Sequence, residues 1–118
     1  MGERSIIKEK SYAFAIRIVN LSKYLKEVKS EFIMSKQLLR SGTSVGALIR
    51  EGKNAESTAD FIHKLSIAQK ECDETIYWLE LLKDTKYITK KEFESICLNA
   101  TELLKMLRST IITSKKKL

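Results

Sequence analysis

The sequence contains no proline and only four glycines among 118 residues. Sandwiches and barrels need many tight turns, and Pro-rich or collagen-like chains need both residues, so those classes are excluded. No apolar run approaches the roughly 20 residues of a membrane-spanning helix. No membrane partner is therefore expected. The opening MGERSIIKEKSYAF is charged too early for a secretory signal, and Gly2 lacks the downstream hydroxyl of an acylation pattern because Ile6 stands there. Two cysteines, Cys72 and Cys97, lie far apart, as expected of reduced thiols in a cytoplasm.

Histidine is as scarce, with His63 the only one. One His and two distant Cys do not compose a structural zinc site, and neither His-Glu-x-x-His nor the Glu-x-x-His pairs of di-iron bundles occur. Glu71, Asp73 and Glu74 point in different directions around a helix. No nucleophile–base pair stands out. The expectation is a protein that is not an enzyme, with no metal and no cofactor.

Helical periodicity and charge are plentiful. Apolar residues recur at steps of three and four almost throughout. The spacing predicts four helices in one domain over residues 1–118, with a short basic tail from about residue 113. The first runs from about Ser11 to Lys29, with a lead-in from Ser5 and a stripe of Phe14, Ile18, Leu21, Leu25 and Val28. The second runs from Glu31 or Ser35 to Asn54 and buries Leu38, Gly42, Val45 and Ile49. The third, near Ser57 to Asp84, carries Phe61, Leu65, Ala68, Cys72, Ile76 and Leu79. The fourth starts at Thr89, with Glu92 completing a capping box, and carries Phe93, Ile96, Ala100, Leu103, Leu107 and Ile111. Short links force neighbours antiparallel, so the expected fold is all-α, an up-down-up-down four-helix bundle.

Two helices carry more apolar surface than one core needs. Tyr12, Ile16 and Val19 form a second line on the first helix, far around from the Phe14 face. Ile67, Trp78 and Leu81 do the same on the third, interleaved with Asp60, Lys64, Glu71 and Glu74. Apolar and charged residues alternating on an outer face suit a contact between copies. Trp78 as a cap on the bundle's own core is the plainer alternative. Within the second helix, Gly42 and Gly46 lie on one face. Each costs roughly 1 kcal/mol relative to Ala, so close approach of another backbone is the expected compensation.

The net charge of +7 is unevenly spread. Residues 1–53 hold 11 basic and five acidic residues, residues 54–104 hold six and ten, and residues 105–118 hold five and none. Lys36, Arg40 and Arg50 fall within an arc of about 80°, opposite the buried stripe, with Lys53 at the flank. Arg17, Lys23, Lys26 and Lys29 add to them from the first helix, and Lys115, Lys116 and Lys117 from the end of the chain. Such arrays bind phosphate backbones by counterion release without reading sequence. Two plainer roles compete: solvation of a helix face, and pairing of Arg40 or Arg50 with acids of the third helix.

Four stretches together are distinctive: Ser11-Tyr12-x-Phe14-Ala15-x-Arg17-Ile18-Val19; Ser35-x-Gln37-Leu38-Leu39-Arg40-Ser41-Gly42-Thr43-Ser44-Val45-Gly46-Ala47; Asp60-Phe61-x-x-Lys64-Leu65-x-Ile67-Ala68-x-Lys70-Glu71; and Glu74-Thr75-x-Tyr77-Trp78-Leu79. In order and spacing, residues 11–82 resemble the 23S rRNA intervening-sequence proteins. Leu48, Gly52 and Cys72 depart from the family's usual Asn, Ala and Ala. The resemblance implies a four-helix bundle, association into ring-like homopentamers, and no attached enzymatic activity. It also implies genes lying in intervening sequences of bacterial 23S rRNA. A related branch serves as the accessory protein of diversity-generating retroelements, binding nucleic acid and a reverse transcriptase through a basic surface. The expected partners are therefore copies of the chain, rRNA or another nucleic acid, and a reverse transcriptase.

Overall fold

A computed structural model describes residues 3–118, without the side chains of residues 3–5; Gly2 and its acylation reading lie outside the described residues. Four helices follow one another: α1 (Glu3–Glu27), α2 (Met34–Gly52), α3 (Thr58–Asp84) and α4 (Lys90–Lys115). There is no strand among the described residues. The molecule measures 47 × 22 × 21 Å, close to the length of its longest helices. No described helix is long and apolar enough to cross a membrane.

Local chemistry sets the helix starts. Ser57 Oγ accepts the Asp60 amide at 3.0 Å and opens α3. Thr89 and Glu92 make the reciprocal capping box of α4, at 3.1 and 2.7 Å. α2 begins differently. Ile33, its first flanking residue, offers no side-chain bond. The buried Glu31 carboxylate reaches forward instead and accepts the amides of Ile33, Met34 and Ser35. This moves the start of α2 to Met34, between the two expected positions.

The helix ends use left-handed residues that are not glycine, Ser30 (φ 53°) and Lys86 (φ 72°). At Lys86 the bonds Lys86 N–Lys83 O and Tyr87 N–Leu82 O form a Schellman turn.

Three expected boundaries need correction. α1 is already helical at Glu3, not Ser11. It stops at Glu27, so Val28 sits in the turn and is 65% exposed rather than buried. Helical periodicity has no meaning past the last helical residue. The basic run at the chain end is not a tail from residue 113: α4 continues through Lys115, and Ser114 is buried.

The remaining stripes meet in one core. Phe14, Ile18 and Leu25 of α1 join Leu38 and Val45 of α2, Leu65 and Leu79 of α3, and Leu103 and Leu107 of α4. Leu21, Ile76 and Phe93 are half-buried at its margin. Each helix packs on its chain neighbours, α4 also meets α1, and that last seam is the sparsest. Residue numbers rise on one helix as they fall on the next. Ser11 lies against Gly46, Ile18 against Gly42, and Ser22 Oγ bonds Ser35 O at 3.2 Å. Across α2 and α3, Glu51 meets Lys64 and Ser41 meets Thr75. No buried side-chain nitrogen or oxygen lacks a partner among the described residues.

Candidate nucleic-acid and assembly surfaces

The bundle sorts the candidate cations into groups that the linear sequence mixed together. Lys23 and Lys26 close α1, Lys29 lies in the turn after it and Lys36 opens α2, so they share one end of the rod. Lys83, Lys86 and Lys90 of the α3–α4 turn join them around a groove of about 490 Å3 that also holds Lys29 and Tyr24. These last lysines belong to the segment that is acidic in linear bookkeeping. Arg50, Lys53, Lys115, Lys116 and Lys117 lie at the other end, where Lys53 and Lys117 line one pocket. Lys8 of α1, absent from the expected set, stands with them. Its ammonium is pushed below the usual lysine range, first by Lys53 beside it and then by desolvation and Arg50, against Glu9. The signal for Lys8 was a helix that starts earlier than its stripe suggested.

Two of the arginines are committed inside the chain. Arg17 spans the α1–α4 seam and donates to Ser95 O (3.2 Å), Ser95 Oγ (3.0 Å) and Asn99 Oδ1 (2.6 Å). Arg40, in the middle of the rod, donates to Glu71 Oε1 at 3.1 Å and to Glu74 Oε2. The Trp78 indole donates to that same Glu74 oxygen at 2.9 Å. Arg40 first and Trp78 second therefore hold the Glu74 carboxyl below its ordinary range, and Glu74 raises Arg40 in return. Of the expected cations, Arg40 alone has a carboxylate partner among the described residues.

The surplus apolar surface divides as well. On α1, Tyr12 and Ile16 are exposed and Val19 is half-buried. On α3, Ile67, Trp78 and Leu81 are all half-buried, and Trp78 packs against the core with Tyr77 edge-on at 5.0 Å. Asp60 turns back to the Glu56 amide and Lys64 pairs with Glu51 at 3.4 Å. The acids and lysine of that stripe thus have intrachain partners. The largest unexpected apolar exposure is the α1–α2 knuckle, with Val28 at 65%, Phe32 at 62% and Ile33 at 78%. Sequence periodicity gave no sign of Phe32 and Ile33, which precede α2, and placed Val28 on the buried stripe instead.

The glycines sit where α1 crosses α2. A Cβ on Gly42 would stand 2.7 Å from Ile18 Cγ2, and one on Gly46 would stand 3.3 Å from the Ser11 carbonyl oxygen. Burial pushes the Cys72 thiol up to about 12, and its Sγ faces Ala100 O at 3.4 Å; burial raises Cys97 too. His63 is exposed. No group of His, Cys, Asp or Glu is arranged to hold a metal among the described residues.

The 23S rRNA-intervening sequence protein family matches residues 3–109. A crystal structure at 1.70 Å resolution, of a protein with unknown function from the S23 ribosomal protein family of Bacteroides thetaiotaomicron VPI-5482, is 57% identical. That similarity covers 92% of this chain and 97% of the other, with a TM-score of 0.91. No curated protein matches the sequence. With four helices, a match over nearly its whole length and a solved relative of the same shape, the chain belongs to the 23S rRNA-intervening sequence protein family.

Proposed function

We propose that this protein is a non-catalytic bundle, antiparallel and up-down-up-down, whose copies associate into a ring and whose cationic ends bind rRNA or another nucleic acid. One observation carries the reading. At both ends the cations expected from the sequence stand without carboxylate partners among the described residues, and only the added Lys83 is paired, with Asp84, whereas Glu71 and Glu74 engage Arg40 in the middle. A folded chain that leaves most of its positive charges unpaired at two poles presents a field for a polyanion. The family's name, which refers to 23S rRNA, points the same way. The exposed Ile16 of α1, outside the Tyr12 groove, supports self-association.

Binding of this kind is charge-driven and should weaken steeply with salt. On duplex RNA or DNA, each neutralised phosphate contributes a slope of about −0.9 in log affinity against log salt. Filter binding of rRNA fragments at two salt concentrations tests it, and salt-insensitive or absent retention would count against it.

A second reading is an adaptor that docks a protein such as a reverse transcriptase. The Val28–Phe32–Ile33 knuckle favours it, being apolar and exposed, with Lys26, Lys29 and Lys36 close by in the chain. Substituting Phe32→Ser should then abolish partner capture and leave RNA retention intact.

A further inference from the structure

Where α1 crosses α2 near Gly46, a groove of about 490 Å3 opens to solvent. It is shallow because the helices nearly touch there, with Ser11 O only 3.3 Å from where a Gly46 Cβ would stand. Lys8, Tyr12 and Arg50 lie along it and Lys53 sits at its end, beside Lys8. The Arg50 guanidinium lies 5.7 Å from the Tyr12 ring centroid, and Tyr12 is 57% exposed.

The crowding of charge is what sets this groove apart. Lys8, Arg50 and Lys53 press on one another, and none has an ion pair among the described residues. Two carboxylates are near. Glu9 offsets Lys8 weakly, and Glu51, on the groove wall, is drawn away by Lys64 at 3.4 Å. Folding thus gathers three cations and neutralises none of them by contact. An anion placed among them would relieve the repulsion directly. Beside them stands the Tyr12 ring, more than half exposed.

We infer that this groove binds single-stranded nucleic acid, with a phosphodiester among Lys8, Arg50 and Lys53 and an unpaired base stacked on Tyr12. The strand must be single because a duplex keeps its base faces stacked inside and offers Tyr12 only backbone. Stacking is tolerant of base identity. The inference rests on the nucleic-acid reading of the protein and adds the site and the strand form.

The test is anisotropy of a labelled oligouridine strand and of an RNA duplex of equal length, titrated with the full chain at two salt concentrations. Wild type should bind the strand, Tyr12→Phe should match it, and Tyr12→Leu should weaken strand binding about tenfold with duplex binding unchanged. Arg50→Gln with Lys53→Gln should lower the strand's salt slope by about 0.7, one phosphate's worth. Lys8→Gln gives a second, independent removal of charge. Melting curves and mass in solution accompany each variant. If wild type binds and Tyr12→Leu binds equally well, the groove is not the site, while the general nucleic-acid reading stands. If wild type binds neither probe, both readings fall. If the charge variants change the mass in solution and not the affinity, the groove is a contact between copies and the inference is overturned.

Discussion

Arg40 and Arg50 belong to one helix and are equally exposed to the sequence reader, yet the fold treats them oppositely. Arg40 meets Glu71 and Glu74 of α3, with Trp78 bonded to the same carboxylate. Arg50 meets the Tyr12 ring of α1 and shares its surroundings with Lys8 and Lys53. The difference arises because each faces a different neighbour: α3 brings acids to the middle of the rod, and α1 brings more cations to its end. A cation's availability depends on what the adjacent helix places opposite it. Counting positive side chains on one face misses this.

The most disruptive way to test that contrast is to disturb the crossing that positions α2 against α1. Gly42→Leu forces a side chain into the space of Ile18, a stiff β-branched residue with no exposure. It should cost about 1–3 kcal/mol or more, lower the melting temperature by several degrees, and weaken whatever the Arg50 groove binds. An unchanged melting curve would mean that the two helices part without strain.

A gentler change should erase the contrast by freeing Arg40. Glu71→Gln with Glu74→Gln removes both carboxylates, and the salt slope for single-stranded RNA should steepen by about 0.7 as the released guanidinium finds a phosphate. Arg40→Gln should leave RNA retention near wild type. Loss of retention in Arg40→Gln would show that the acids do not silence it.

Smaller still is the effect of pH on the Arg40 cluster. Glu74 is held below its ordinary range, so its pairing stabilises the fold above the unfolded carboxylate value of about 4.3 and is lost as pH falls through the lower folded value. The pair is largely solvated, and its worth is below about 1 kcal/mol. Melting between neutral pH and about pH 3 should therefore fall slightly more steeply for wild type than for Arg40→Gln. The opposite ordering would argue against the pairing.

Lys86→Gly should have the opposite sign, stabilising the protein by about 0.5–1 kcal/mol because a left-handed residue loses its Cβ strain. It also removes one cation from the end away from Arg50, so strand binding at the Tyr12 groove should not change.

Much of the fold was legible in the residues. The stripes of α2, α3 and α4, the Ser57 cap and the Thr89–Glu92 box follow from spacing and hydrogen-bonding chemistry within one turn. The start of α2 was less legible, since Glu31 caps from outside the helix and no short pattern encodes that. Val28 was misassigned because periodicity cannot report where a helix stops. The candidate site was half legible: Tyr12, Arg50 and Lys53 were singled out, Tyr12 as a subunit contact and the other two as part of one basic face. Their meeting with Lys8 required knowing which helices adjoin.

By itself, the sequence determined that the chain is helical, how many helices it forms, which faces are buried and to which family it belongs. The helices and their apolar stripes rest on spacings and bonds between residues a few positions apart. Only the tertiary structure decided which charges cancel and which remain, because Coulomb interactions act through space between helices whose residues are far apart in the chain. It also decided that the lysines of the α3–α4 turn would join those of the α1–α2 turn at one pole, and that Arg50, Lys53 and the final lysines would gather at the other.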